Sequence, residues 1–130
     1  MKKEQSLQKA ICTWLKLQHP NVYFFSDPSG IKMSIGMAVQ LKANHSAHAQ
    51  LDLVILEPRG EYHAMVLELK RETPYRKNGE LKKSDHLTDQ LKTVANLQVR
   101  GYYVKLAWEF DTAKKLIGKY LEMLTLNHEN

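Results

Sequence analysis

Apolar residues recur at spacings of three and four from Glu4 to Leu17, at Leu7, Ala10, Ile11, Trp14 and Leu15, and predict an amphipathic helix that His19-Pro20 ends. Val22 to Phe25 is a short β-branched and aromatic run, closed by the turn-forming residues Ser26-Asp27-Pro28-Ser29-Gly30. Lys32 to Asn44 fits a short helix better than a strand, through Met33, Met37, Ala38, Leu41 and Lys42, and His45 to Gln50 reads as a loop. Leu51 to Leu56 is apolar except at Asp52, Glu57-Pro58-Arg59-Gly60-Glu61 has a tight-turn composition, and His63 to Leu69 returns as the second arm of a hairpin. Ser84 or Asp85 then caps a helix with Leu87, Leu91, Val94 and Ala95 on one face, which Gly101 ends. Tyr102 to Ala107 forms a further strand. Asp111 or Thr112 caps a last helix carrying Ala113, Leu116, Ile117, Tyr120, Leu121 and Leu124.

The resulting order is α, β, short α, β, β, α, β, α, an α/β chain without internal repeat or linker. Its 130 residues, 43% of them apolar, suffice for one core, so residues 1–130 read as a single domain. No stretch approaches the roughly 20 apolar residues of a membrane span, and Met1 to Ser6 do not open a signal peptide. With Cys12 as the only cysteine, no intrachain disulfide can form, and the expected setting is a reducing one, the cytoplasm. Cys12 reads as core filler. Nineteen Lys and Arg against 14 Asp and Glu give +5, a balance that suits a polyanionic partner. The distribution says more than the total. Lys70, Arg71, Arg76, Lys77, Lys82 and Lys83 fall in one segment against only Glu72 and Glu80.

That segment follows the residues with the most chemical content. Glu68 and Lys70 project from one side of their strand, and Leu67 and Leu69 from the other. With the hairpin turn centred on Gly60, facing residues have numbers that sum to 120. Asp52 then faces Glu68, and Gln50 faces Lys70. Like charges opposed across a strand pair cost roughly 0.2–1 kcal/mol. A divalent cation between them reverses the sign. Mg²⁺ is commonly held by one or two carboxylates while it keeps waters and takes further ligands from phosphate. Phosphodiester hydrolysis needs an activated water and neutralisation of developing charge, so Asp52 and Glu68 suit a metal cradle and Lys70 a partner for the water or the phosphate. Against this stands the ordinary reading of an acid-x-Lys strand as a solvated face.

Taken together, these motifs resemble the VRR-NUC family, a branch of the PD-(D/E)xK nucleases. Glu4 lies on the first helix, Asp52 in Gln50-Leu51-Asp52-Leu53-Val54, Glu68-Leu69-Lys70 on the next strand, and Gln90 in Leu87-Thr88-Asp89-Gln90 on the following helix. The resemblance spans most of the chain. One departure is local: Ala49-Gln50-Leu51 stands where the family usually has a Gly and a Pro before the aspartate.

The resemblance implies a restriction-endonuclease-like fold, a central mixed β-sheet flanked by helices. It also implies an Mg²⁺- or Mn²⁺-dependent deoxyribonuclease with the Leu69 backbone carbonyl as a further metal ligand and Glu4 acting through metal-bound water. Small stand-alone members of phage type resemble Holliday-junction resolvases. The expectation is therefore a homodimer acting on branched or junction DNA, in the host cytoplasm if phage-encoded. Within nucleases the alternative is a less selective exonuclease or flap endonuclease, and outside them a nucleic-acid-binding module without turnover. Gln90, on the inward face of its helix, needs a partner: either backbone, or Lys70 and the phosphate. Arg71, Arg76, Lys77, Lys82 and Lys83 are the expected phosphate contacts, unless that loop is only a solvated connection. His45 and His48 have no cysteine or carboxylate at zinc-ligand spacing and read as loop histidines. Trp14 and Trp108 read as core.

Overall fold

The computed structural model describes residues 3–27, 34–46, 51–70 and 73–125, and of residues 3–5, 85 and 86 the backbone alone. Four strands, β1 (Phe24–Ser26), β2 (Leu53–Ile55), β3 (Met65–Leu69) and β4 (Tyr103–Ala107), form one sheet in the order β1-β2-β3-β4. The first three are antiparallel neighbours, while β3 and β4 are parallel. Around them lie α1 (Lys3–Gln18), α2 (Ile35–Ala43), α3 (Asp85–Val99) and α4 (Phe110–Leu121), the element order that the apolar pattern predicts. Among the described residues, no helix is long and apolar enough to cross a membrane.

Alternation along the strands divides the core into two layers. Leu53, Ile55, Met65, Leu67, Leu69 and Ala107 face Ile11 and Leu15 of α1 and Ala113, Ile117 and Tyr120 of α4. Val54, Val66 and Val104 face the other way and meet Val94 and Leu97 of α3. Glu68 and Asp52 belong by alternation to this second face, beneath α3. Cys12 and Trp14 pack, half-buried, against the first layer.

Several boundaries differ from the sequence expectation. The β2–β3 ladder pairs Leu53 with Leu67, Val54 with Val66 and Ile55 with Met65, so the sum of 120 holds there. Nearer the turn it fails, because the bridge is Arg59 to Tyr62. The arms separate in between, since the Leu56 amide donates to the Tyr23 carbonyl and the His63 amide to the Gly101 carbonyl. Both strands are accordingly shorter than their apolar runs. α4 starts at Phe110, with Glu109 in the N-cap position and no side-chain capping bond, rather than after Asp111 or Thr112. It ends at Leu121, where the Arg59 guanidinium donates to the Leu121 and Met123 carbonyls, and Leu124 leaves the stripe for solvent. On α3, Leu97 rather than Ala95 completes the inward stripe with Leu87 and Val94. Ser84 is its N-cap, accepting from the Leu87 amide, and Gly101 follows it at φ +94°. A Cβ at Gly101 would lie 2.7 Å from the His63 ring, so this position requires glycine twice over.

Candidate active site

Asp52 immediately precedes β2, and Glu68 is the penultimate residue of β3. Extending the Leu53–Leu67 register by one residue sets them opposite each other. Each engages main chain next to the other. The Asp52 amide donates to Glu68 Oε1 at 3.1 Å, and the Leu69 amide donates to Asp52 Oδ2 at 2.7 Å. These bonds lie where regular pairing between β2 and β3 stops, so the two acids are held by the backbone that presents them.

Glu68 is only 5% exposed. Burial, followed by the negative charge of Asp52, pushes its carboxyl up to about 8 from 4.5, against the opposing pull of the Asp52 amide and the Lys70 ammonium. The Asp27 carboxylate adds to the upward push. Lys70 follows β3 and is fixed through its own amide, which donates to the Ala107 carbonyl at 2.8 Å. The structure thus brings Asp52, Glu68 and Lys70 to one end of the sheet.

Gln90 lies on the α3 stripe between Leu87 and Val94, over the face that carries Glu68. Its Oε1 is buried without a hydrogen-bond partner, the one such side-chain atom among the described residues. Backbone pairing, the simpler of the two partners expected for this residue, is therefore not what holds its oxygen. Glu4 is in the first turn of α1, and its side chain lies outside the described residues, as do Arg71, His48 and Gln50.

The remaining basic residues form a small hairpin rather than a loose connection. Tyr75 pairs with Leu81, the Arg76 amide donates to the Glu80 carbonyl at 2.6 Å, and the Lys82 amide donates to the Pro74 carbonyl at 2.8 Å. Gly79, at φ +87°, makes the turn. The Tyr75 ring meets Trp108 edge-on at 6.0 Å, anchoring the hairpin just beyond β4. Arg76, Lys77 and Lys83 are exposed and Lys82 half-buried.

Two residues at the site went unnoticed in the sequence. Asp27, placed there in a turn, directly follows β1 and lies beside Asp52: its amide donates to the Asp52 carbonyl at 3.0 Å, and it is 6% exposed. Its Oδ2 lies 3.9 Å from His45 Nε2. Gln8 of α1 clamps the two strand ends, its Nε2 donating to the Asp27 carbonyl at 2.9 Å and the Asp52 carbonyl at 3.2 Å. A signal for Gln8 did exist, because it precedes Ile11 and Leu15 on the inward stripe of α1, where a polar residue needs a partner. None existed for Asp27, since a β1–β2 pairing across so long a connection is not written in either strand.

No family model matches the chain, and no curated protein matches it. Among solved structures it is similar to a "VRR_NUC domain protein", with a TM-score of 0.66 over 96% of this chain and 93% of that one, at 21% identity. That likeness shows the fold. A mixed four-stranded sheet flanked by helices, the restriction-endonuclease-like arrangement expected from the sequence, is what the chain adopts.

Proposed function

We propose that the chain is a VRR-NUC nuclease of the PD-(D/E)xK type, a divalent-metal-dependent deoxyribonuclease acting as a homodimer on branched or junction DNA. The observation that carries this is the opposed pair of Asp52 and Glu68, held by each other's backbone, with Glu68 so deprived of water and so close to a second negative charge that it retains its proton to about 8. A cation between two such groups relieves both penalties.

The donor set fits Mg²⁺ or Mn²⁺. Asp52, Glu68 and the Leu69 carbonyl offer only oxygen. Among the described residues no three His, Cys, Asp or Glu side chains form a cage by themselves. A hard cation that keeps several waters and draws other ligands from phosphate suits such a sparse set. When bound, the metal supplies an acidified water and a Lewis acid at the phosphate. Lys70, fixed by its amide to β4, orients the attacking water or neutralises charge developing on the phosphate. Gln90 offers its unpartnered amide oxygen to that water or to Lys70. Glu4 acts through water. Arg76, Lys77, Lys82 and Lys83, with Arg71, hold the DNA backbone on the β4 side. Ala49-Gln50-Leu51 leaves this function in place, because the missing proline would shape backbone and contribute no ligand. The protein works as one domain in the cytoplasm, the host's if it is phage-encoded.

The test is Mg²⁺-dependent cleavage of a panel holding four-way junctions, flaps, single strands and linear duplex. Wild type should cut the junction in preference, and Asp52→Asn and Lys70→Ala should each lose at least about 100-fold in rate, the scale of removing one group that stabilises transition-state charge. Cleavage that persists in both variants refutes the site. Equal cutting of all substrates favours the less selective nuclease, and tight binding without cleavage by wild type favours a binding module.

A further inference from the structure

The basic hairpin holds two apolar side chains out toward water. Tyr75 and Leu81 face each other across it, flanked by the bonds from the Arg76 amide to the Glu80 carbonyl and from the Lys82 amide to the Pro74 carbonyl. They are thus a non-hydrogen-bonded pair, the kind whose side chains stand closest, on one face. Tyr75 is 42% exposed and Leu81 40%. A merely solvated connection would be better served by polar residues at both positions. Nor is the hairpin loose. Pro74 at its base is buried, and the Tyr75 ring rests edge-on against Trp108. The Gly79 amide closes the turn on the Arg76 carbonyl at 2.9 Å, and the Glu80 amide donates to the Asn78 side chain at 3.0 Å.

We propose that Tyr75 and Leu81 form a platform on which the DNA substrate stacks a base that has lost its neighbour, at a branch point or a strand end. The inference rests on the proposed nuclease reading and deepens it, by assigning the preference for branched over continuous DNA to two residues. Charge identifies the occupant. Arg76, Lys77 and Lys83 are exposed around the pair, and Glu80 is the only acid among residues 73–83, so a polyanion is drawn to this hairpin. A protein partner would have to bury those cations together with the small apolar pair. Shape identifies the part of the polyanion. A ring beside a branched side chain offers an apolar surface that suits the face of a base of any sequence. In a continuous duplex both faces of every base pair are covered by their neighbours, and only a branch, nick or end uncovers one. Position agrees. The Lys70 amide donates to the carbonyl of Ala107, the residue before Trp108, and the Trp108 ring is 6.0 Å from that of Tyr75. Along that path the Tyr75 ring lies within roughly 20 Å of the Lys70 backbone, about six steps of a DNA strand. A base stacked on the hairpin therefore sets how far from the branch the strand meets Lys70.

The test is equilibrium binding of the full chain, in EDTA, to a four-way junction and to a linear duplex. Each carries 2-aminopurine, at the branch in the first and inside the helix in the second. Wild type should hold the junction about 10-fold or more tighter than the duplex, the scale of one base stacked on an aromatic ring, and should change the probe's emission at the branch alone. Tyr75→Ser should bring junction affinity down to that of the duplex and abolish the emission change, while Tyr75→Phe, which keeps the ring, should retain both. Leu81→Ser leaves the contact between Tyr75 and Trp108 in place and should weaken junction binding in the same direction, so the result does not depend on how Tyr75→Ser affects the hairpin. A junction preference that survives in both serine variants overturns the proposal. So does a loss that falls equally on junction and duplex, as it would if the pair served only to hold the cations in place, or a Tyr75→Phe as impaired as Tyr75→Ser. Wild type without a junction preference overturns it too. Cleavage enters none of these readouts. A protein that discriminates through this pair and never cuts keeps the inference and loses the nuclease reading, whereas one that cuts junctions as selectively without the pair does the reverse.

Discussion

Glu68 should make the metal-free protein lose stability as pH rises through the neutral range. Its carboxyl is held to about 8 in the folded chain and returns to about 4.5 when the chain unfolds. Between those values the folded state keeps a proton that the unfolded state has released, so stability falls by about 1.36 kcal/mol per pH unit. The favourable contribution is complete below about 4.5, is lost on the way to about 8, and is constant beyond. The full swing corresponds to roughly 5 kcal/mol, comparable with the whole stability of many domains. Urea unfolding in EDTA from pH 5 to 9 reads the slope directly. Glu68→Gln keeps an acceptor for the Asp52 amide and carries no charge, so its curve should be flatter than that of wild type and cross above it near neutral pH. Saturating Mn²⁺ should flatten the wild-type curve and leave Glu68→Gln unmoved. Parallel pH dependence in wild type and Glu68→Gln, both in EDTA, would show that Glu68 does not carry the proton and refute the reasoning.

Gln90→Met should stabilise the free protein by about 1 kcal/mol in urea unfolding while lowering cleavage, because it removes a buried unpartnered oxygen at nearly constant volume. Gly101→Ala should cost about 1–3 kcal/mol, read as a lower thermal midpoint, since it forces a side chain into φ +94° and toward the His63 ring. His63→Ala should recover only the part due to the ring. Lys77→Ala/Lys83→Ala should weaken DNA binding and reduce the slope of log affinity against log salt by about 2, whereas a change in affinity without change in slope would remove the hairpin from the DNA path.

Legibility followed the reach of the interactions involved. α1 and α3 could be read because each repeats an inward residue over several turns, and Ser84 and Gly101 mark the two ends of α3 with side-chain or backbone chemistry of their own. The start of α4 misled, because Asp111 and Thr112 look like caps while Phe110 is already helical and packs against the core. The hairpin register was readable in its centre, where alternation ties Leu53 and Leu67 to one layer. Its turn was not, since Tyr23 and Gly101, distant in sequence, draw the Leu56 and His63 amides away. The site divided in the same manner. Asp52, Glu68 and Lys70 share one hairpin, whereas Asp27, Gln8 and His45 reach it only from the end of β1, from α1 and from the residues after α2.

The position of the site in the sheet also bears on why residue 68 is an acid. The β2–β3 ladder ends at Leu53 and Leu67, while β3 continues beside β4 to Leu69 and Ala107. Past the end of the ladder, the amides of Asp52 and Leu69 are taken by carboxylates. A glutamine at position 68 could accept the same bond from Asp52 without an opposed charge or the penalty of burying one. Structural need alone therefore favours Gln over Glu there. What Gln cannot supply is a second negative oxygen beside Asp52, and the burial and like-charge repulsion that push the Glu68 carboxyl up to about 8 are the penalties that a divalent cation bound there would offset. Because the cost falls on the free protein and the return comes with the ion, stability and metal affinity should move in opposite directions when residue 68 is changed.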